Sequence, residues 1–329
     1  MYFFLSNIRI EHASSTWNKL TSLNRAVQVE ARDVSSEISI LYFKKMSEEK
    51  FELRIVTYMC PTHPVELYEL ILELLENALD CHASLQYESR SPGPIPNRAD
   101  PFQQNKIDLA FMTVAAYMKI KQKENKFVQL LPVTPVFAHQ MNVENKPGYF
   151  SDVIIHCDKK AHNVNTLLDL RGCTFAYSNE ESLSGSKIVL KTLKEKGENA
   201  SFFGSLLKSG SHLASAQMVL SKQAEWAAVD STTLLNAKNY MQDGGKDIIT
   251  LETLGRLPPY PIVVNSRLSD SIKDSIVKAL LNLTKTAEWK RKFAKFGIIK
   301  FDNNSDRIYD GSAAQMWSSQ NETFNIRYY

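Results

Sequence analysis

No stretch of this 329-residue chain is apolar for long enough to span a membrane. No basic block occurs either. Lys and Arg are scattered among Asp and Glu and the formal net charge is +3, which gives no footprint for nucleic acid. The four cysteines, Cys60, Cys81, Cys157 and Cys173, are widely spaced with no C-x-x-C. Free buried thiols are therefore expected, rather than a disulfide framework or a zinc site. His63, His82, His139, His156, His162 and His212 do not recur at metal-ligand spacing, so no metal and no cofactor is expected. The chain has no P-loop, no G-x-G-x-x-G, no H-E-x-x-H and no G-x-S-x-G. Asp108 and Asp230 are an acid/base pair only by a juxtaposition that many folds give by chance, and no catalytic residue is assigned.

The N-terminus also lacks something. Met1-Tyr-Phe-Phe-Leu-Ser6 is too short for a signal peptide, without a basic n-region or an A-x-A site. On that reading the chain is soluble and cytoplasmic, or its true start is not shown. Residues 1–50 carry no sustained periodicity and read as an N-terminal extension, with Met46 an alternative start for the compact domain.

What is present is an ordinary core composition, 43% hydrophobic and 23% charged. Leu53 to Thr57 reads as a strand, Val65 to Cys81 as an amphipathic helix, Ala83 to Glu88 and Ile107 to Phe111 as strands, and Val114 to Lys123 as a helix. Phe127–Val133 and Pro135–Met141 are extended. A second unit follows: strand Ser151–Cys157, a short helix ending at Gly172, strand Cys173–Tyr177, a helix to Gly197, an extended Ser201–Leu206, helix Gly210–Leu220, strand Glu225–Asp230 and helix Thr232–Met241. The chain returns through Pro258-Pro259 to a strand ending at Val264, then to two helices after Ser269 and Ala287. Alternation of this kind argues for an α/β architecture. Phe301 to Tyr329 is polar and irregular and reads as a loosely packed tail.

Most informative is Ser182-Leu183-Ser184-Gly185-Ser186, which carries a strand into a helix N-terminus. Hydroxyls and free backbone N–H groups at one point make an anion-binding device. An ordinary N-cap is the alternative, since serine is a good one.

Several segments together resemble the type II periplasmic solute-binding proteins of ABC transporters, above all their phosphonate/phosphate-binding, PhnD-like group. They are Leu53-Arg-Ile-Val-Thr-Tyr58, Asp108-Leu-Ala-Phe111, Gly148 to Ile155, Leu168-Asp-Leu-Arg-Gly172, Ser182-Leu-Ser-Gly185, Ser211-His212, Ala228-Val-Asp-Ser231 and Pro259 to Val264. The resemblance covers about residues 52 to 300. It implies a two-lobed fold, each lobe a mixed β-sheet flanked by helices, joined by two crossover hinge segments. Lobe 1 would be 51–140 plus 258–302, lobe 2 would be 141–257, and 303–329 a C-terminal tail. It implies a monomeric, non-enzymatic protein that closes on a small anionic or zwitterionic ligand, with an ABC permease as partner and a periplasmic or extracellular address.

Carried over by position, Ser182, Ser184, Gly185 and Ser186 match the group's ligand-holding turn, with Leu183 where a small or hydroxyl residue is usual. His212 and Asp230 match polar ligand contacts, and Tyr58 walls the cleft. From the residues alone, His212 neighbouring a helix cap, Asp230 capping the helix after it, and Tyr58 in the core are the alternatives. His212 would switch charge near neutral pH. Met112 stands where the group has an aromatic, and Pro94-Ile95-Pro96 where a ligand-contacting one is expected. Glu180 and Glu181 lie beside the anion site and would oppose a highly charged phosphate. The other readings are an enzyme on the same fold, similar to thiamine-pyrimidine synthases, and an interaction protein that has lost its ligand.

Overall fold

The computed structural model describes residues 50–238, 241–311 and 324, and the described residues from Glu52 onward belong to one compact unit. The expectations for residues 1–49, including the Met46 start, lie outside the described residues.

β1 (Glu52–Thr57) leads through a turn into α1 (Val65–Leu79). Leu67, Tyr68, Ile71, Leu74 and Leu75 are buried on one side of α1 and Glu66, Glu69 and Glu73 are exposed on the other. Each such leucine contributes about 1.5–3 kcal/mol by leaving water. Asp80 ends the helix in the left-handed region, at φ 50°, and β2 (His82–Tyr87) returns parallel to β1. β3 (Leu109–Phe111) pairs parallel on the other edge of β1 and is followed by α2 (Val114–Gln122). With β4 (Val128–Leu130) and the later β11 (Ile262–Asn265), which runs antiparallel to both β3 and β4, this gives a mixed sheet of order β2-β1-β3-β11-β4.

The second sheet has the order β10-β6-β9-β7-β8. β6 (Tyr149–His156) lies antiparallel between β10 (Ile248–Leu257) and β9 (Trp226–Asp230), and β7 (Thr174–Tyr177) is parallel to β9 and to β8 (Ser205–Lys208). The fully buried Trp226 stacks among Phe175 and Phe203 in this half. α3 (Ile188–Glu195), α4 (His212–Leu220) and α5 (Ser231–Lys238) are the helices of this half. The sheets and their flanking helices form two lobes with hinge regions, the type II periplasmic-binding-protein fold.

The chain passes between the sheets twice, after β5 (Val133–Phe137) and after β10. Asn142 ties these passages together. Its amide donates to the Phe137 and Lys146 carbonyls, and its own oxygen accepts from Arg256 at 2.9 Å. Gly148 sits there at φ 127°, where a side chain would collide with the Leu257 carbonyl oxygen, 2.7 Å from an added Cβ.

Two expectations change. Part of the extended Ser201–Leu206 segment is a short helical turn, Ala200–Phe202, because the Asn199 side chain caps it through Ser201 N–H. The described part of the tail, read as loosely packed, is anchored. β12 (Ile298–Asn303) pairs with β5, after α6 (Asp270–Leu281) and α7 (Ala287–Ala294). Beyond it α8 (Arg307–Asp310) buries Tyr309 completely, with its hydroxyl on the Pro259 carbonyl at 3.0 Å. Phe324 packs on Tyr177 and Phe203. Single aromatics seated in preformed pockets leave no periodic signal to read. Among the described residues no helix is long and apolar enough to cross a membrane.

Candidate functional site

Three helices begin at one place. Behind α2, Thr113 Oγ1 accepts the Ala116 N–H at 3.2 Å. Behind α4, Ser211 Oγ accepts the Ala214 N–H at 3.1 Å. The third start is a wide π-type turn, Leu183–Lys187, that runs into α3, and Ser182 Oγ accepts the Gly185 N–H at 3.0 Å. Thr113, Val114 and Ala115 from the first lobe face Ser182, Leu183, Ser184, Ser211 and His212 from the second across a cleft of 580 Å³. The leading N–H groups of each helix have no intrahelical acceptor and carry the positive end of its dipole. Three such ends on one cleft favour an anion there.

The chemistry of the floor sharpens this. Ser178 follows β7, is 2% exposed, lines the cleft, and its hydroxyl has no hydrogen-bond partner among the described residues. An unpaired buried hydroxyl costs about 1–3 kcal/mol, which an incoming acceptor or donor would relieve. His212 Nε2 lies 3.2 Å from Ser182 Oγ and 3.3 Å from Ser184 Oγ, and its Nδ1 lies 3.3 Å from the Asp230 N–H. The imidazole therefore orients both serine hydroxyls. Burial pushes its titration below the usual histidine range, against the opposing pull of Asp230 and the Ala228 carbonyl. The switch expected near neutral pH is thus displaced downward, because desolvation disfavours the imidazolium.

Behind the floor lies a second buried polar set. Asp230 Oδ1 accepts from Thr232 N–H at 2.8 Å, Thr232 Oγ1 at 2.7 Å and Thr233 N–H at 3.3 Å, while its Oδ2 accepts the Tyr260 hydroxyl. The carboxylate thus caps α5 and holds the returning chain, although it also lines the cleft. His63, fully enclosed, joins the Tyr68 hydroxyl at 2.8 Å to Thr232 Oγ1 at 2.7 Å and so connects the two lobes.

The remaining expected residues divide. Tyr58 lines the cleft and is 6% exposed, so it is wall and core at once. Leu183 lines the cleft as an apolar contact. Gly185 sits beneath it. Its N–H is already used by Ser182, and an added Cβ would lie 2.7 Å from Ser178 Oγ and 3.1 Å from His212 Cε1. Ser186 does not reach the cleft: it is fully buried and donates to the Asn179 carbonyl. Met112 is fully buried away from the cleft, and the rim that Pro94-Ile95-Pro96 was expected to supply comes from Ser89, Arg90, Ser91 and Pro92.

The two glutamates are neutralised. Lys208 pairs with Glu180 at 2.9 Å and holds its carboxyl below the usual range, and Lys119 from the first lobe pairs with Glu181 across the cleft mouth at 2.5 Å. Arg90 likewise holds Glu88 down to about 2. Sequence reasoning missed Ser178, Thr113, Arg90 and Lys208, which come from strand ends and loops with no local pattern. Ser178 has a faint signal, as the residue directly after an apolar strand.

Residues 55–309 match the family described as ABC transporter, phosphonate, periplasmic substrate-binding protein. The phosphonates-binding periplasmic protein of Escherichia coli K12 is 28% identical over 204 residues, which are 61% of this chain and 58% of that protein, so the chain spans under two thirds of this curated relative. A binding-protein component of an ABC phosphonate transporter from Pseudomonas aeruginosa shares the fold at TM-score 0.60 and 17% identity, covering 79% of this chain and 83% of the other. PhnD1 from Prochlorococcus marinus, in complex with methylphosphonate, does so at TM-score 0.61 and 14% identity, covering 83% and 99%. The chain belongs to the phosphonate-type periplasmic substrate-binding family of ABC transporters.

Proposed function

We propose that the cleft captures a small organic phosphonate or phosphate-like solute, without chemistry, for delivery to an ABC permease in the periplasm. The observation that carries this reading is the partnerless buried hydroxyl of Ser178 at the meeting of three hydroxyl-capped helix starts. The anionic oxygens would take the N–H groups of Leu183, Ser184, Val114 and Ala115 and the hydroxyls of Ser178, Ser182 and Ser184, with His212 holding the last two. A volume of 580 Å³ is far more than a bare phosphate fills. An organic substituent fits against Tyr58, Pro61, Pro92, Tyr149 and Leu183, which line the same space. Asp230 and Glu180 would tolerate a cationic group on that substituent, so a zwitterion is within the ligand class.

Calorimetric titration with methylphosphonate, an aminoalkylphosphonate, inorganic phosphate and sulfate tests it. Saturable binding of a phosphonate is expected, weakened about 10-fold or more in Ser178→Ala, since a hydrogen bond to a charged group contributes about 1.5–3 kcal/mol. No heat with any of the four, or a Ser178→Ala variant with unchanged affinity, overturns the reading.

A further inference from the structure

His156, Cys157 and Asp158 follow one another where β6 ends, five residues along that strand from the Ser151 that pairs with Asp230. The chain turns there into a short helical segment, Cys157–His162, so the three side chains converge instead of alternating. His156 Nδ1 lies 3.8 Å from Cys157 Sγ and 3.4 Å from Asp158 Oδ2. Cys157 Sγ lies 3.7 Å from Asp158 Oδ1 and 3.7 Å from Asp247 Oδ1. Asp247, just before β10, is fixed by its carbonyl accepting the Cys157 N–H at 2.8 Å.

A tetrahedral zinc ion with a Zn–S bond of about 2.3 Å and Zn–N and Zn–O bonds of about 2.0–2.1 Å holds its donors about 3.3–3.6 Å apart. The His156–Cys157, His156–Asp158 and Cys157–Asp158 separations lie within a few tenths of an ångström of those edges, the last two through the two different oxygens of the Asp158 carboxylate. We infer that His156, Cys157 and Asp158 form a three-donor binding site for a zinc-class divalent cation on the second lobe, with Asp247 beside the thiol, separate from the ligand cleft. A mixed nitrogen, sulfur and oxygen set selects zinc or cobalt over magnesium or calcium, which take oxygen alone. Two of these donors are already engaged, and an ion would displace or share their partners. The Asp158 N–H reaches His156 Nδ1 only at 3.3 Å, and the Lys222 ammonium takes Asp158 Oδ2, leaving Oδ1 toward the thiol. Half-buried His156 and Cys157 with an exposed Asp158 give an ion an entry path.

The test uses the full chain, stripped with chelator and titrated with Co²⁺. A thiolate-to-cobalt charge-transfer band and tetrahedral ligand-field bands are expected at one equivalent, both lost on adding Zn²⁺. Cys157→Ser should remove the charge-transfer band, weaken zinc at least about 10-fold and leave phosphonate affinity unchanged. Asp247→Asn should weaken zinc less. Without any variant, zinc should slow alkylation of Cys157, read by peptide mass spectrometry, and leave Cys60, Cys81 and Cys173 unprotected. No charge-transfer band at saturating cobalt, unchanged zinc affinity in Cys157→Ser, or equal Cys157 alkylation with and without zinc overturns the inference.

Discussion

The floor of the cleft and the wall behind it are built from the same parts, a histidine among hydroxyls, half-buried on the floor and buried in the wall, yet they differ in how completely those parts are paired. On the floor His212 contacts Ser182 and Ser184 at 3.2 and 3.3 Å, and the Ser178 hydroxyl beside them has no partner among the described residues. In the wall His63, Thr232, Asp230 and Tyr260 close on one another with contacts of 2.8 Å or less between His63, its partners and Thr232, and the unpaired hydroxyl there, that of Thr233, lies outside this ring of contacts. A saturated buried network fixes geometry, whereas an unsaturated one leaves free energy to be recovered by something that arrives. The floor therefore reads as the place that binds, and the wall as the element that holds the lobes in register.

The largest expected effect breaks the floor. In Gly185→Val the new side chain enters space held by Ser178 Oγ, Ser182 Oγ and His212, where even a Cβ comes within 2.7–3.1 Å. Displacing two hydroxyls from an anion costs about 1.5–3 kcal/mol each, so phosphonate affinity should fall by about 100-fold or more. Urea denaturation should show a far smaller loss of stability. The control from the other lobe is Thr113→Val, which removes only a helix cap contributing about 1 kcal/mol and should weaken binding less than about 10-fold. Equal losses in the two variants would erase the distinction between a floor that binds and a rim that assists.

The wall should respond to pH instead. Burial lowers His63 from 6.5 to about 4, opposed by Asp230. Between those values the unfolded chain holds a proton that the folded chain excludes. Stability contributed by the neutral ring is thus complete above about pH 6.5 and is lost as pH falls toward 4, by about 3 kcal/mol at full extent. His212 is shifted the same way, so His63→Gln should flatten the acid limb of a stability-versus-pH curve without abolishing it. An unaltered limb would show that His63 is not the group taking up the proton.

How much of this was legible in the sequence follows the same divide. Ser182 to Gly185 could be read because a cap and its helix are neighbours in the chain, and the alternation of strands and helices was readable because burial imposes its period locally. Ser178, Thr113 and Lys208 could not be, since each gains meaning only when separate strand ends meet at one cleft. Ser186 misled by adjacency: one residue further round the turn, its hydroxyl points to the Asn179 carbonyl and not to the ligand space. His63 went unassigned because its partners Tyr68 and Thr232 lie 5 and 169 positions away. A histidine with no neighbouring pattern gives no hint that it spans two lobes.

A third experiment cuts the wall's own link to the returning chain. In Tyr260→Phe the ring stays stacked on Tyr149, 4.5 Å away, but Asp230 Oδ2 loses its donor. That should cost about 1–3 kcal/mol of stability while ligand affinity changes less than in Gly185→Val. Were affinity to collapse instead, Asp230 would belong to the floor.

The smallest effect is expected at the mouth, where Lys119 and Glu181 meet across the lobes with side chains 44% and 52% exposed. Exposed ion pairs contribute about 0.2–1 kcal/mol and weaken with salt, so Lys119→Met should change stability barely measurably. Its effect on binding has a different origin. Removing the ammonium leaves Glu181 as an uncompensated charge on the cleft lining, which repels an anion through solvent and should weaken binding by less than about 5-fold. Raising the salt concentration should remove most of that loss, since solvent-exposed charges are screened within about a nanometre. A salt-independent loss would instead assign Lys119 a direct contact with the ligand, and the mouth would then have to be counted with the floor.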